Sequence, residues 1–101
     1  MKVTIKKLSA MPYAQAHVEI DASGNIHLFS YFTRVATIDE DGWLEIYGLY
    51  SRTTRKHIGA FLREYVEYPN GERGSYQLGK MLFLNGWCFN INTGEIEDTA
   101  D

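Results

Sequence analysis

The hydrophobic period of this chain changes at Ser51, and the change separates two kinds of element. Before Ser51, apolar residues recur at every second position. Val3 and Ile5 alternate with Thr4 and Lys6, and Val18 and Ile20 repeat the pattern of half-buried strands. Asp21-Ala22-Ser23-Gly24-Asn25 is a turn cluster, and Ile26 and Leu28 resume the alternation. Residues 15–32 are therefore predicted to form a β-hairpin. A strand through Tyr31 to Ile38 follows, rich in β-branched and aromatic residues. After the turn Asp39-Glu40-Asp41-Gly42 comes another strand, Trp43 to Tyr47. Beyond Ser51, a good N-cap, the residues Thr54, Ile58, Phe61, Leu62 and Tyr65 share one helical face. That spacing predicts an amphipathic helix over 52–66, ending before Pro69-Asn70-Gly71.

Residues 72–86 admit two readings. Ser75 can cap a short helix ending at Asn85-Gly86, although Gly79 inside it weakens that reading by ~1 kcal/mol. Lys80 to Leu84 can equally form a strand. Trp87 to Ile91 reads as a strand, and Asn92-Thr93-Gly94 as a tight turn into Glu95-Ile96-Glu97. The helix needs an apolar surface and the sheet offers one. The expected fold is a single α+β domain over 1–101: an antiparallel β-sheet with one main helix packed on one face, and room for a second, short helix. The acidic C-terminus, 97–101, is expected to fray.

Composition narrows the function classes. A formal net charge of −3 argues against a general nucleic-acid binder. No apolar run approaches the ~20 residues that cross a bilayer, and the start of the chain lacks the apolar core of a signal peptide. Cys88 is the one cysteine, so no intrachain disulfide forms, which fits a reducing, cytoplasmic setting. It sits between Trp87 and Phe89 and is expected to be a core thiol. His17 and His27 are placed facing each other across the hairpin, but no third ligand has suitable spacing, so no metal site is expected. His57 reads as a packed, hydrogen-bonded histidine. No phosphate loop, nucleophile elbow or paired carboxylates are present, and the chain is read as no enzyme and as needing no cofactor. Of the seven tyrosines most are assigned to the core, with Tyr47, Tyr50 and Tyr68 as a candidate partner-facing cluster.

The informative segment is Tyr50-Ser51-Arg52-Thr53-Thr54-Arg55-Lys56, with Gly59 one turn on. Helix starts carry unsatisfied N–H groups and a partial positive charge, and so favour acids. Here the first turns hold Arg52, Arg55 and Lys56 and no acid. Arg63 continues the stripe, and Gly59 within it leaves room for a close approach. Two readings stand: an anion or acidic-partner site, or a solvated basic face paired with Glu40, Asp41 or Glu64 while Ser51 merely caps the helix.

The run Ser30-Tyr31-Phe32-Thr33-Arg34-Val35-Ala36, then Asp41-Gly42-Trp43-Leu44, then Gly48 to Ile58 with Phe61-Leu62, resembles a family of small uncharacterised proteins of tailed bacteriophages and bacterial mobile elements. Its pattern is a Ser-Tyr-x-Thr strand and a Tyr-Ser-x-Thr-Thr helix start followed by His. The resemblance covers residues 30–62 and brings no activity with it. It implies a phage or prophage origin and, for a protein of this size, binding that inhibits or redirects a host protein such as a defence system, in the cytoplasm of the host bacterium. A binder of a phosphorylated ligand (a nucleotide signal or single-stranded nucleic acid) through residues 51–56 is the alternative, and a small virion protein the third. A host protein, a phosphate-bearing ligand and a second copy in a homodimer are thus the candidate partners; a membrane is not.

Overall fold

A computed structural model describes residues 2–99. Seven strands form one antiparallel sheet in sequence order: β1 Thr4–Lys6, β2 Ala16–Ile20, β3 Ile26–Ser30, β4 Thr33–Ile38, β5 Trp43–Ile46, β6 Trp87–Asn90 and β7 Ile96–Asp98. Between β5 and β6 the chain inserts two helices, α1 Arg52–Tyr65 and α2 Tyr76–Asn85. The sheet is open, and both helices lie over one face of it. The expected α+β architecture is therefore present, with two helices rather than one.

Period-two patterning decides which face is covered. Ala16, Val18, Leu28, Ala36, Ile38, Leu44, Ile46 and Phe89 point to the helices and are buried there. From α1 they meet Ile58, Phe61 and Leu62, and from α2 Leu78 and Leu82. Burying each of these α1 side chains stabilises the fold by roughly 1.5–3 kcal/mol. A bulge opposite Leu28 and Phe29 leaves Val35 without a strand partner on β3, yet fully buried.

Local chemistry sets the helix ends. Ser51 Oγ accepts the Thr54 N–H at 3.2 Å and starts α1. At Val66 the backbone becomes extended, and Glu67 then bridges Arg73 around the Pro69-Asn70-Gly71 turn. Residues 72–86 resolve as the helical reading. Gly86 adopts the left-handed conformation at φ 67° and its N–H closes onto the Leu82 and Phe83 carbonyls. Gly79 is a packing residue: a Cβ there would lie 3.0 Å from Ile58 Cγ2 and 3.2 Å from Leu62 Cδ1.

Gly74 is tighter still. A Cβ on it would lie 2.8 Å from the Leu62 carbonyl oxygen and 2.9 Å from Val66 Cβ. Backbone atoms cannot yield as a side-chain tip can, so Gly74→Ala is expected to destabilise by about 1–3 kcal/mol. Urea titration would show it as a lower midpoint; a midpoint equal to wild type would mean the contact between Gly74 and the end of α1 is slack.

Four expectations need correction. Tyr31 and Phe32 are not strand residues but the two-residue turn between β3 and β4, since Ser30 pairs Thr33. Tyr31 has φ 58°, a conformation that the strand propensity of tyrosine gives no hint of. His17 and His27 are not opposite each other: His17 faces Phe29 and stacks on it, while His27 faces Glu19. Cys88 lies on the uncovered face of the sheet and is half-exposed, because Phe89 takes the inward position. Glu97 and Asp98 do not fray. They pair with Cys88 and Trp87, and Thr99 bonds the Gly86 carbonyl at 2.6 Å; the rest of the 97–101 segment lies outside the described residues.

Candidate functional site

The basic stripe predicted from sequence lines a surface groove beside α1. Arg52, Arg55, Lys56, Gly59, Ala60 and Arg63 form its α1 wall, Ser75 and Tyr76 the opposing lip, and Ala10 and Met11 close one end. The groove holds about 670 Å³. Its α1 wall follows from helical geometry, since residues three, four, seven and eleven apart stack along one side of a helix. Its floor is small or apolar and its rim cationic.

No carboxylate lines this groove, and among the described residues none of the four cations has an ion pair. Glu64 is engaged elsewhere: its Oε1 accepts the Ser9 N–H at 2.8 Å. Asp41 and Glu40 belong to the β4–β5 turn, where the Asp41 backbone N–H donates to Asp39 Oδ1. The reading of the stripe as a paired basic face is thus not what the geometry gives.

The start of α2 opens into the same groove. Tyr76 approaches Gly59 closely, at 3.4 Å from where a Cβ would stand, so the glycine in the stripe accommodates the second helix. Ser75 is the N-cap of α2 by position but makes no side-chain capping bond, and the first turn of α2 holds no acid. Sequence reasoning missed Ser75, Tyr76, Ala10 and Met11 because they come from distant segments. Gly59 was the available signal, since a mid-helix glycine marks a close neighbour.

The other predicted site residues have structural work. Ser51 and Thr54 are capping partners, and Thr54 Oγ1 lies 3.0 Å from Ser30 Oγ. Ser30 Oγ in turn lies 2.8 Å from His57 Nδ1, tying the β3–β4 hairpin to α1. Thr53 is exposed and outside the groove lining. Tyr50 is exposed at φ 47°, with its ring lying where a Cβ on Gly48 would stand. It does not cluster with Tyr47, which underlies the Arg34 guanidinium at 5.0 Å, or with Tyr68, which packs edge-on to Phe89.

Ser30 and His57 resemble a nucleophile–base pair in composition only. Both are buried, and the third member is Thr54 rather than an orienting carboxylate. Burial pushes the His57 imidazolium below the usual histidine value of 6.5. The unfolded chain therefore binds this proton more readily than the folded one, and stability falls as pH drops through about 6.5. Denaturation midpoints measured from pH 7.5 down to pH 5 are expected to fall, and the fall should flatten in His57→Gln. An identical slope in both proteins would remove His57 as its source.

A second depression, about 270 Å³, lies on the uncovered sheet face between Thr37, Asp39, Trp43, Glu45, Tyr47, Cys88 and Glu97. Burial, then Glu97 and Glu45, push the Cys88 thiol up, which keeps it protonated and a poor nucleophile. Among the described residues no group of His, Cys, Asp and Glu is placed to hold a metal ion, and no helix is long and apolar enough to cross a membrane.

No curated protein and no solved structure matches this chain. A family profile does match, over residues 3–77, which takes in the first five strands, α1 and the lip of the groove. The chain belongs to DUF8033, a family of unknown function.

Proposed function

We propose that this protein is a small binding module that takes an acidic group of a partner protein into the α1 groove. The observation that carries the reading is that Arg52, Arg55, Lys56 and Arg63 line one groove without an acid among them. Exposed like charges along a helix repel one another, and cations beside two helix starts are misplaced for stability alone. Both costs fall when a carboxylate or phosphate enters.

A protein partner is favoured over a free anion by the aromatic side chains nearby in sequence. Phe32 is 99% exposed at the tip of the β3–β4 turn, flanked by Tyr31, whose ring lies 5.9 Å from His57 on α1. Tyr50, just ahead of α1, is also exposed. Exposed Tyr31, Phe32 and Tyr50 offer rigid aromatic surface of the kind a protein partner buries. The resemblance of residues 30–62 to phage proteins points to a host protein as that partner, with modulation of the host as the biological effect.

A second reading, a ligand bearing phosphate, is favoured by the uncapped start of α2 in the groove. Affinity capture from a bacterial lysate separates the two. Capture of one protein that survives nuclease treatment and is lost by the Arg52→Glu/Arg55→Glu variant supports the first reading. Nuclease-sensitive nucleic acid or a small phosphorylated ligand in the eluate, with steep loss as salt rises, supports the second. Equal capture by wild type and variant would overturn both.

A further inference from the structure

Charge is segregated to the two ends of the chain, and the fold carries those ends to the two edges of the sheet. No acid precedes Glu19 and no lysine or arginine follows Lys80. Lys2, Lys6 and Lys7 accordingly lie on or beside β1, and Glu95, Glu97 and Asp98 on or beside β7. Among the described residues, β1 pairs only with β2, and β7 only with β6. Both edges are exposed at every strand position, and each presents apolar side chains, Val3 and Ile5 on one and Ile96 on the other.

We infer that the β1 edge of one copy of this chain pairs with the β7 edge of another, continuing the sheet head to tail. An edge strand exposes unpaired N–H and C=O groups and is a template for another strand. Short length and like charge defend each edge against its own kind: β1 against β1 brings lysines together, and β7 against β7 brings carboxylates together. The defence fails only for the unlike combination, where lysines meet carboxylates and Ile5 and Val3 meet Ile96. Seven strands, each antiparallel to the next, leave β1 and β7 running in the same direction. Lys6 pairs with Val18 on the helix side of the sheet and Glu97 with Cys88 on the open side. Lysine and carboxylate, and Ile5 and Ile96, therefore share a face only when the incoming copy carries its helices on the opposite side, which sets its β1 antiparallel to β7. Because the two surfaces differ, the contact is heterologous and extends, unlike a two-fold homodimer. The edges hold three strand residues each, so the association is concentration-dependent and, resting on exposed charges, is dispersed by salt.

The test is a charge swap, and it is independent of the groove. Wild-type protein in low salt is expected to show a mass rising with concentration beyond two chains in sedimentation, and one chain in high salt. The Lys2→Glu/Lys6→Glu/Lys7→Glu variant carries acid on both edges, and Glu95→Lys/Glu97→Lys carries base on both. Each is expected to stay a single chain alone, and an equimolar mixture to recover assembly. If circular dichroism shows a multiple variant unfolded, Lys6→Glu and Glu97→Lys take its place. Wild type that stays a single chain at the highest soluble concentration, variants that assemble alone, or a mixture that fails to assemble would each overturn the inference.

Discussion

Phe61→Ala is expected to lower stability by ~3–5 kcal/mol. Phe61 is 0% exposed, at the centre of the α1 face between Ile58 and Leu62, and its ring packs 5.0 Å from that of Tyr65. Removing it deletes the transfer energy of the ring and leaves a hole that cannot collapse. Gly79 already draws α2 to within contact of Ile58 and Leu62, so the helices have little slack with which to fill it. Domains of this size are stable by about 5–15 kcal/mol, so the variant keeps only part of its margin. Chemical denaturation should show a much lower midpoint. A midpoint near wild type would mean the helices do not depend on this side chain for their seat on the sheet.

Arg55→Glu is expected to act in the opposite way, sparing the fold and abolishing partner binding. Arg55 lies near the start of α1, lines the groove, and has no ion pair to lose among the described residues. A glutamate near the helix start complements the macrodipole, so thermal stability should be unchanged or higher by a few tenths of a kcal/mol. The same side chain would face an anionic group with like charge, and binding should weaken by at least roughly tenfold. The two measurements must be made on one preparation. Unchanged binding with unchanged stability would reduce the stripe to a solvated face. Loss of both would make Arg55 a structural residue.

Strand and helix placement was readable where one physical signal dominates. Alternation of Val18, Ile20, Ile26 and Leu28 set the hairpin, and Ser51 marked a helix start because capping chemistry is local. Gly86 did not decide α2, because Gly79 inside the segment left Lys80 to Leu84 equally readable as a strand. The basic groove wall was legible, since helical spacing alone puts Arg52, Arg55, Lys56 and Arg63 on one side. Its opposite lip was not, because Ser75 and Tyr76 arrive there through tertiary packing of α2. Tyr31-Phe32 escaped because both residues favour strands, and only the pairing of Ser30 with Thr33 forces the turn. Cys88 escaped because Trp87, Cys88 and Phe89 are all apolar, so no alternation revealed which of them faces inward.

The order of the sheet also shapes how the chain acquires its fold. Every strand from β2 on pairs with the strand made just before it, and all but β6 do so with no helix between, so β1 to β5 can zip together as they leave the ribosome. The exception is β6, which must find β5 across the whole helical insertion, closing a long loop against chain entropy. Until α1 emerges, the five-stranded precursor carries a bare apolar face with Val18, Leu28 and Leu44 open to water. A chain stalled within residues 52–65 is therefore the species most exposed to aggregation, and the helices act as the cover that ends this vulnerable interval.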